Sequence, residues 1–225
     1  CFEALGLPLD LEPEQVAEVG NECGIAFAFA RTFHPAMRFV GPVRAALGMP
    51  GVFNVLGPLT NPASPKHMAV GCANRAMSPI MAAVYAANGQ TGMVYTSSEG
   101  LDEMAPTGPV SIWEFSNGKV TESEFDPTME LGLDKVTVAD LKGGEPELNA
   151  QLFRDFLAGK DVPFRTTALL NAASAIVADG HQVPADASLT ERFKAAYAIA
   201  EETVDSGKAS ALLDQWITAA QSKKA

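Results

Sequence analysis

His67-Met68-Ala69-Val70-Gly71-Cys72-Ala73 and Thr91-Gly92-Met93-Val94-Tyr95-Thr96 are two short apolar runs. The segment between them, 77–87, has the composition of a helix. Strand, helix, strand in this order is the pattern of a crossover between parallel strands. Two further strands are predicted over 110–115 and 119–125. Ser116-Asn117-Gly118 between them is a hairpin turn, so the sheet should be mixed.

Working outward, the flanks read as helical. Residues 13–23 fit a short helix with Pro13 in its first turn and Gly24 just past its end. Residues 25–30 form an apolar run that suits either a buried strand or a tight connection. A second helix is predicted over 36–47, broken by Gly48-Met49-Pro50-Gly51. Beyond the sheet, Leu148, Leu152, Phe153, Phe156 and Leu157 make one apolar stripe that Gly159 ends. Helix follows over 168–178. Ser188-Leu189-Thr190-Glu191 is a capping box, and Phe193, Tyr197, Ala200 and Val204 recur at helical spacing until Gly207. Leu212, Leu213, Trp216 and Ile217 mark the last helix, over 208–220. With no repeat or linker in view, the economical reading is one α/β domain over 1–225, a mixed, mostly parallel sheet flanked by helices.

Composition narrows the function classes. The chain has 225 residues, 47% hydrophobic and 19% charged, enough apolar surface to fold around a core. It contains no uninterrupted apolar run of about 18 residues or more, so neither composition nor sequence points to a membrane. A net charge of −11 argues against a nucleic-acid partner, whose phosphates are met by clustered Lys and Arg. A small phosphorylated substrate stays open, because one metal ion or a group of amides can reverse the field in a single cleft. Cys1, Cys23 and Cys72 lack the paired spacing of a zinc or redox motif and read as reduced cytoplasmic thiols. Phe2-Glu3-Ala4-Leu5-Gly6 has the look of a final helical turn closed by glycine, so the first residue is expected to be internal to a longer protein.

Three segments hold side chains suited to chemistry. Val55-Leu56-Gly57-Pro58-Leu59-Thr60-Asn61-Pro62 reads as a turn able to present backbone to a ligand, although composition by itself favours a purely structural turn. His34-Pro35-Ala36-Met37-Arg38 leads into the helix bearing Arg44, whose guanidinium suits a carboxylate through two parallel hydrogen bonds. A solvated arginine and a turn histidine fit the same pattern. Gly100-Leu101-Asp102-Glu103 sets two acids directly after a strand, where ligands of open α/β sheets collect. Adjacent acids without His or Cys suit a hard cation such as Mg²⁺, or else make a plain acidic loop.

Taken together, His34-Pro35-Ala36-Met37 with Arg44, Phe53-Asn54 followed by the run to Pro62, Gly100-Leu101-Asp102-Glu103 and Leu169-Leu170-Asn171-Ala172-Ala173 resemble the anthranilate phosphoribosyltransferases in order and spacing, over the whole chain. The resemblance implies a C-terminal domain like those of nucleoside phosphorylases and phosphoribosyltransferases, with residues 1–47 partly in a helical hinge and acceptor channel. It further implies that Arg44 pairs with the carboxylate of anthranilate. Ala30, His34, Met37 and Gly57 would line the acceptor channel, with Asn61 and Pro62 at its wall. Asp102 and Glu103 would bind Mg²⁺ and, through it, the pyrophosphate of phosphoribosyl pyrophosphate. The helix-borne guanidinium and the acidic pair would then face a common cavity. A homodimer is implied for the full-length protein.

The chain departs from the family in places. The family's glycine-rich pyrophosphate loop and its Lys-His-Gly-Asn segment do not occur, so this chain alone is expected not to turn over. Arg31 replaces a usual proline, Met49-Pro50-Gly51 a common Arg-Thr pair, and Ser97-Ser98-Glu99 stands where a histidine is frequent. Two other readings remain at this point: an enzyme like the pyrimidine nucleoside phosphorylases, or a non-catalytic binding or assembly remnant.

Overall fold

The elements run α1 (Pro13–Cys23), α2 (Ala30–Phe33), α3 (Met37–Leu47), α4 (Phe53–Leu59), β1 (His67–Gly71), α5 (Ser78–Ala87), β2 (Thr91–Ser97), β3 (Val110–Ser116), β4 (Lys119–Phe125), α6 (Pro127–Glu130), α7 (Pro146–Leu157), α8 (Arg165–Asp179), α9 (Leu189–Asp205) and α10 (Lys208–Lys224). This is a computed structural model; it describes residues 1–48, 51, 53–184 and 186–224, with the backbone alone at Arg44, Ala45, Leu47 and Phe53. The chain divides into two compact units: 1–57, 143–161 and 203–225 in the first, 58–142 and 162–202 in the second.

The first unit is helical. Pro13 starts α1, Glu12 and Gln15 form a capping box, and Gly24 ends the helix in the left-handed region at φ 76° with its N–H on the Gly20 carbonyl. α1 packs on α10, joined by Gln15 Nε2 to the Lys223 carbonyl (2.6 Å) and by Lys223 to Glu18 (3.0 Å). Leu5, Leu7, Leu11, Val19, Leu213 and Trp216 are buried, and Phe2 meets both Phe27 and Trp216 edge to face. The apolar run at 25–30 is a connection leading into α2 rather than a strand. Of the apolar stripe on α7, Phe156 and Leu157 are buried, whereas Leu148, near the start of the helix, is exposed.

The second unit carries the sheet, in the order β1-β2-β3-β4. β1 and β2 are parallel, from His67 opposite Thr91 to Gly71 opposite Tyr95, and α5 is the crossover. β2 with β3 and β3 with β4 are antiparallel. The sheet is therefore mixed as expected, but its parallel share among the described residues is one pair. Antiparallel return needs no crossover helix, and Asn117 (φ 49°) and Gly118 (φ 73°) close the second hairpin.

Side-chain alternation divides the sheet into two covered faces. Met93, Tyr95, Val110 and Ile112 join Leu170, Ala173 and Val177 of α8 and Phe193 and Ala196 of α9 in one core. Arg192 of α9 reaches Glu114 on that face through two bonds of 2.8 and 3.0 Å. On the other face, α5 packs over β2, β3 and β4. Tyr85 stacks on Phe115 (5.3 Å between centroids), and Ser78 shares a hydrogen bond with Thr96 (2.7 Å). Burial from both sides explains why β2 is inaccessible from Met93 to Ser97 although a strand covered on one face would alternate.

Candidate functional site

The carboxyl end of β2 delivers the acidic pair. The chain turns back at once after Ser97: Gly100 is left-handed at φ 72°, its N–H bonds the Ser97 carbonyl (2.9 Å), and the Ser97 N–H bonds the Leu101 carbonyl (3.2 Å). Asp102 and Glu103 follow with exposed side chains, and from Met104 the chain is buried as far as Gly108. The loop is thus fixed at its base and open at its acidic tip.

Although Glu103 is exposed overall, partial desolvation of its carboxyl is the first cause, and the neighbouring Asp102 charge the second, that hold it above the ordinary carboxylate value. Two carboxylates this close disfavour joint ionisation, and a divalent cation relieves that repulsion. Among the described residues, no group of three or more His, Cys, Asp or Glu is placed to hold a metal. The pair fits Mg²⁺ as a cation that keeps several waters and takes only one or two carboxylates from a protein. Beside it opens a cavity of about 620 Å³, lined by Leu101, Glu103, Lys142, Thr167 and Asn171 among others.

Of the residues expected to line an acceptor channel, those up to Gly57 belong to the first unit. Ala30 opens α2, the His34 N–H bonds the Ala30 carbonyl (2.9 Å), and the Met37 N–H bonds the His34 carbonyl (2.9 Å). One tight corner between α2 and α3 therefore brings these three together. His34 and Met37 are half-buried and Ala30 is exposed. Arg44 lies on α3, but its side chain is outside the described residues, and with it the expectation that it faces the acidic pair.

The run from Val55 to Pro62 differs from its expected form. α4 continues through Gly57 and Pro58 to Leu59, and only then does the chain turn. Pro58 stands near the end of a seven-residue helix, where its missing N–H leaves few turns to disrupt. Gly57 is half-buried within α4; Asn61 and Pro62 are exposed beyond it, with Asn61 Oδ1 accepting from the Ala63 N–H (3.0 Å).

Asn171 was visible in the sequence only as part of the Leu169 to Ala173 run. Its amide bonds the backbone of Met104, next to Glu103. The available signal was one polar residue in an otherwise small and apolar stretch of α8.

Residues 1–210 match the glycosyl transferase family, a/b domain, and the chain belongs to that family. Among individual proteins, it is 48% identical over 216 residues to the anthranilate phosphoribosyltransferase of Arthrobacter sp. (strain FB24), covering 96% of this chain and 60% of that protein. The enzyme of the same name from Salinispora arenicola (strain CNS-205) is 47% identical, over 97% of this chain and 61% of its own length. The crystal structure of anthranilate phosphoribosyltransferase from Thermus thermophilus superimposes with a TM-score of 0.86 at 37% identity, covering 98% of this chain and 63% of that one. The Saccharomyces cerevisiae enzyme in complex with PRPP and Mg gives 0.85 at 27% identity, covering 98% and 62%. The chain thus spans about 60% of the length of the curated relatives it matches.

Proposed function

We propose that this chain is the acceptor- and cation-binding part of an anthranilate phosphoribosyltransferase, a pentosyltransferase of tryptophan biosynthesis. The reaction joins the amino nitrogen of anthranilate to C1 of 5-phosphoribosyl pyrophosphate. The bond from C1 to the pyrophosphate oxygen breaks, pyrophosphate leaves with the bonding pair, and the nitrogen gives up a proton. The observation that carries the reading is the acidic pair Asp102 and Glu103, set at the carboxyl end of β2 on a loop fixed to the core. Relatives bearing that enzyme's name match nearly the whole chain.

In this reading Arg44 holds the anthranilate carboxylate through two charge-assisted bonds and so directs the amino group. Ala30, His34, Met37 and Gly57 line the ring's channel, and Asn61 and Pro62 form its wall. An aryl amine is already a free nucleophile at neutral pH, so these residues position it and no strong base is required. Asp102 and Glu103 hold Mg²⁺, which when bound supplies positive charge to the diphosphate leaving group. No helix of the described residues is long and apolar enough to cross a membrane. A cytoplasmic location and a homodimeric whole enzyme belong to the same reading.

The test is ligand choice. Anthranilate, uracil and thymine are titrated separately into the purified chain and followed by calorimetry. Saturable heat with anthranilate and none with the pyrimidines is expected. A preference for uracil or thymine would replace this reading with a nucleoside phosphorylase-like one.

A further inference from the structure

Asn171 fills each of its hydrogen-bonding roles with protein. Oδ1 accepts from the Tyr95 hydroxyl (2.9 Å) and the Met104 N–H (3.0 Å), while Nδ2 donates to the carbonyls of Met104 (3.1 Å) and Thr167 (2.7 Å). The two bonds to Met104 close a ring between an α8 side chain and the loop backbone. From the other side, Ser97 Oγ donates to the Glu103 carbonyl. The peptide unit between Glu103 and Met104 is therefore gripped at both polar atoms, the carbonyl by Ser97 and the N–H by Asn171.

A planar peptide held at both ends fixes the backbone torsions beside it, and with them the direction in which Glu103 leaves the chain. Met104, fully buried in the sheet core, anchors the same segment. Glu103 itself lines the cavity, and the bonds of this network reach its backbone. We infer that Asn171 is a positioning residue for Glu103: through the Met104 backbone it holds the carboxylate where a divalent cation is bound, without touching the cation. The inference rests on the reading of Asp102 and Glu103 as the cation pair. Supporting groups of this kind preset the ligand geometry, so that binding does not have to order the loop.

Mn²⁺ serves as the probe, titrated by electron paramagnetic resonance into the purified chain and its variants. Asn171→Ala is expected to weaken Mn²⁺ binding about 10- to 100-fold. Tyr95→Phe, which removes one bond from Asn171 and leaves both bonds to Met104, should lose less. Val177→Ala, which hollows the same core away from the loop, should lower Tm and leave the Mn²⁺ affinity unchanged. Wild-type affinity in Asn171→Ala would overturn the inference, as would a Val177→Ala loss matching that of Asn171→Ala at equal Tm. Should Asn171→Ala fail to fold, unchanged affinity in Tyr95→Phe overturns it. A wild-type chain that binds no Mn²⁺ overturns the cation pair itself and this inference with it, an outcome recognised before any variant is compared.

Discussion

A Cβ placed on Gly71, the last residue of β1, would stand 1.5 Å from the carbonyl oxygen of Asp102. The acidic loop lies on bare backbone there, so any side chain must push Asp102 off the end of the strand. Gly71→Ala is expected to cost about 1–3 kcal/mol, the usual range for forcing a group into filled space. Urea unfolding measures that loss. Mn²⁺ titration of the folded variant should show weakened binding, because the displaced backbone carries the acidic pair proposed to hold the cation.

Glu103 sets stability against binding. Its folded-state pKa is raised, chiefly by burial and next by Asp102. A carboxyl with a raised folded pKa binds its proton more tightly in the folded state, so its contribution to stability falls as pH rises from the ordinary carboxylate value through the folded one. The penalty is present in full above both values and absent in acid, below both. Glu103→Gln should raise Tm at pH 7, lose that advantage in acid where Glu103 is protonated in both states, and abolish Mn²⁺ binding. Thermal melts at a series of pH values, with EDTA present, check the first two points.

Much of the fold was legible because its signals are local. β4 and α1 have the expected bounds, and the Asn117-Gly118 hairpin and the Ser188-Glu191 cap follow from turn and cap chemistry within a few residues. α4 was missed because Gly57 and Pro58 read as punctuation, whereas near a helix end a proline removes only one donor. The balance of the sheet was misjudged because the return from β2 to β3 has no short turn motif and its direction is set by tertiary packing. For the site, the acidic pair and its place after β2 could be read directly. The hold on it could not: Asn171 lies 67 residues from Met104 and 76 from Tyr95, and no spacing rule joins them.

Tyr85 is 1% exposed, and its hydroxyl is buried with no hydrogen-bond partner among the described residues. Burial, followed by the nearby Cys72, pushes its pKa up to about 12. The ring has a clear role, stacked on Phe115, while the buried oxygen takes no bond from the described residues. Tyr85→Phe is expected to be stabilising by about 1 kcal/mol, at the low end of the desolvation penalty for an unsatisfied polar group. A chemical denaturation midpoint below that of the wild type would show that the hydroxyl is satisfied in solution.

The proposed acceptor site is tested by the affinity of the purified chain for anthranilate with and without the Arg44 guanidinium, read from the ligand's own fluorescence. Charge-assisted bonds contribute roughly 1.5–3 kcal/mol, so Arg44→Ala should weaken binding by about 10- to 100-fold, with benzoate competing and aniline not. Equal affinity in the wild type and Arg44→Ala, or equal competition by aniline, would contradict it.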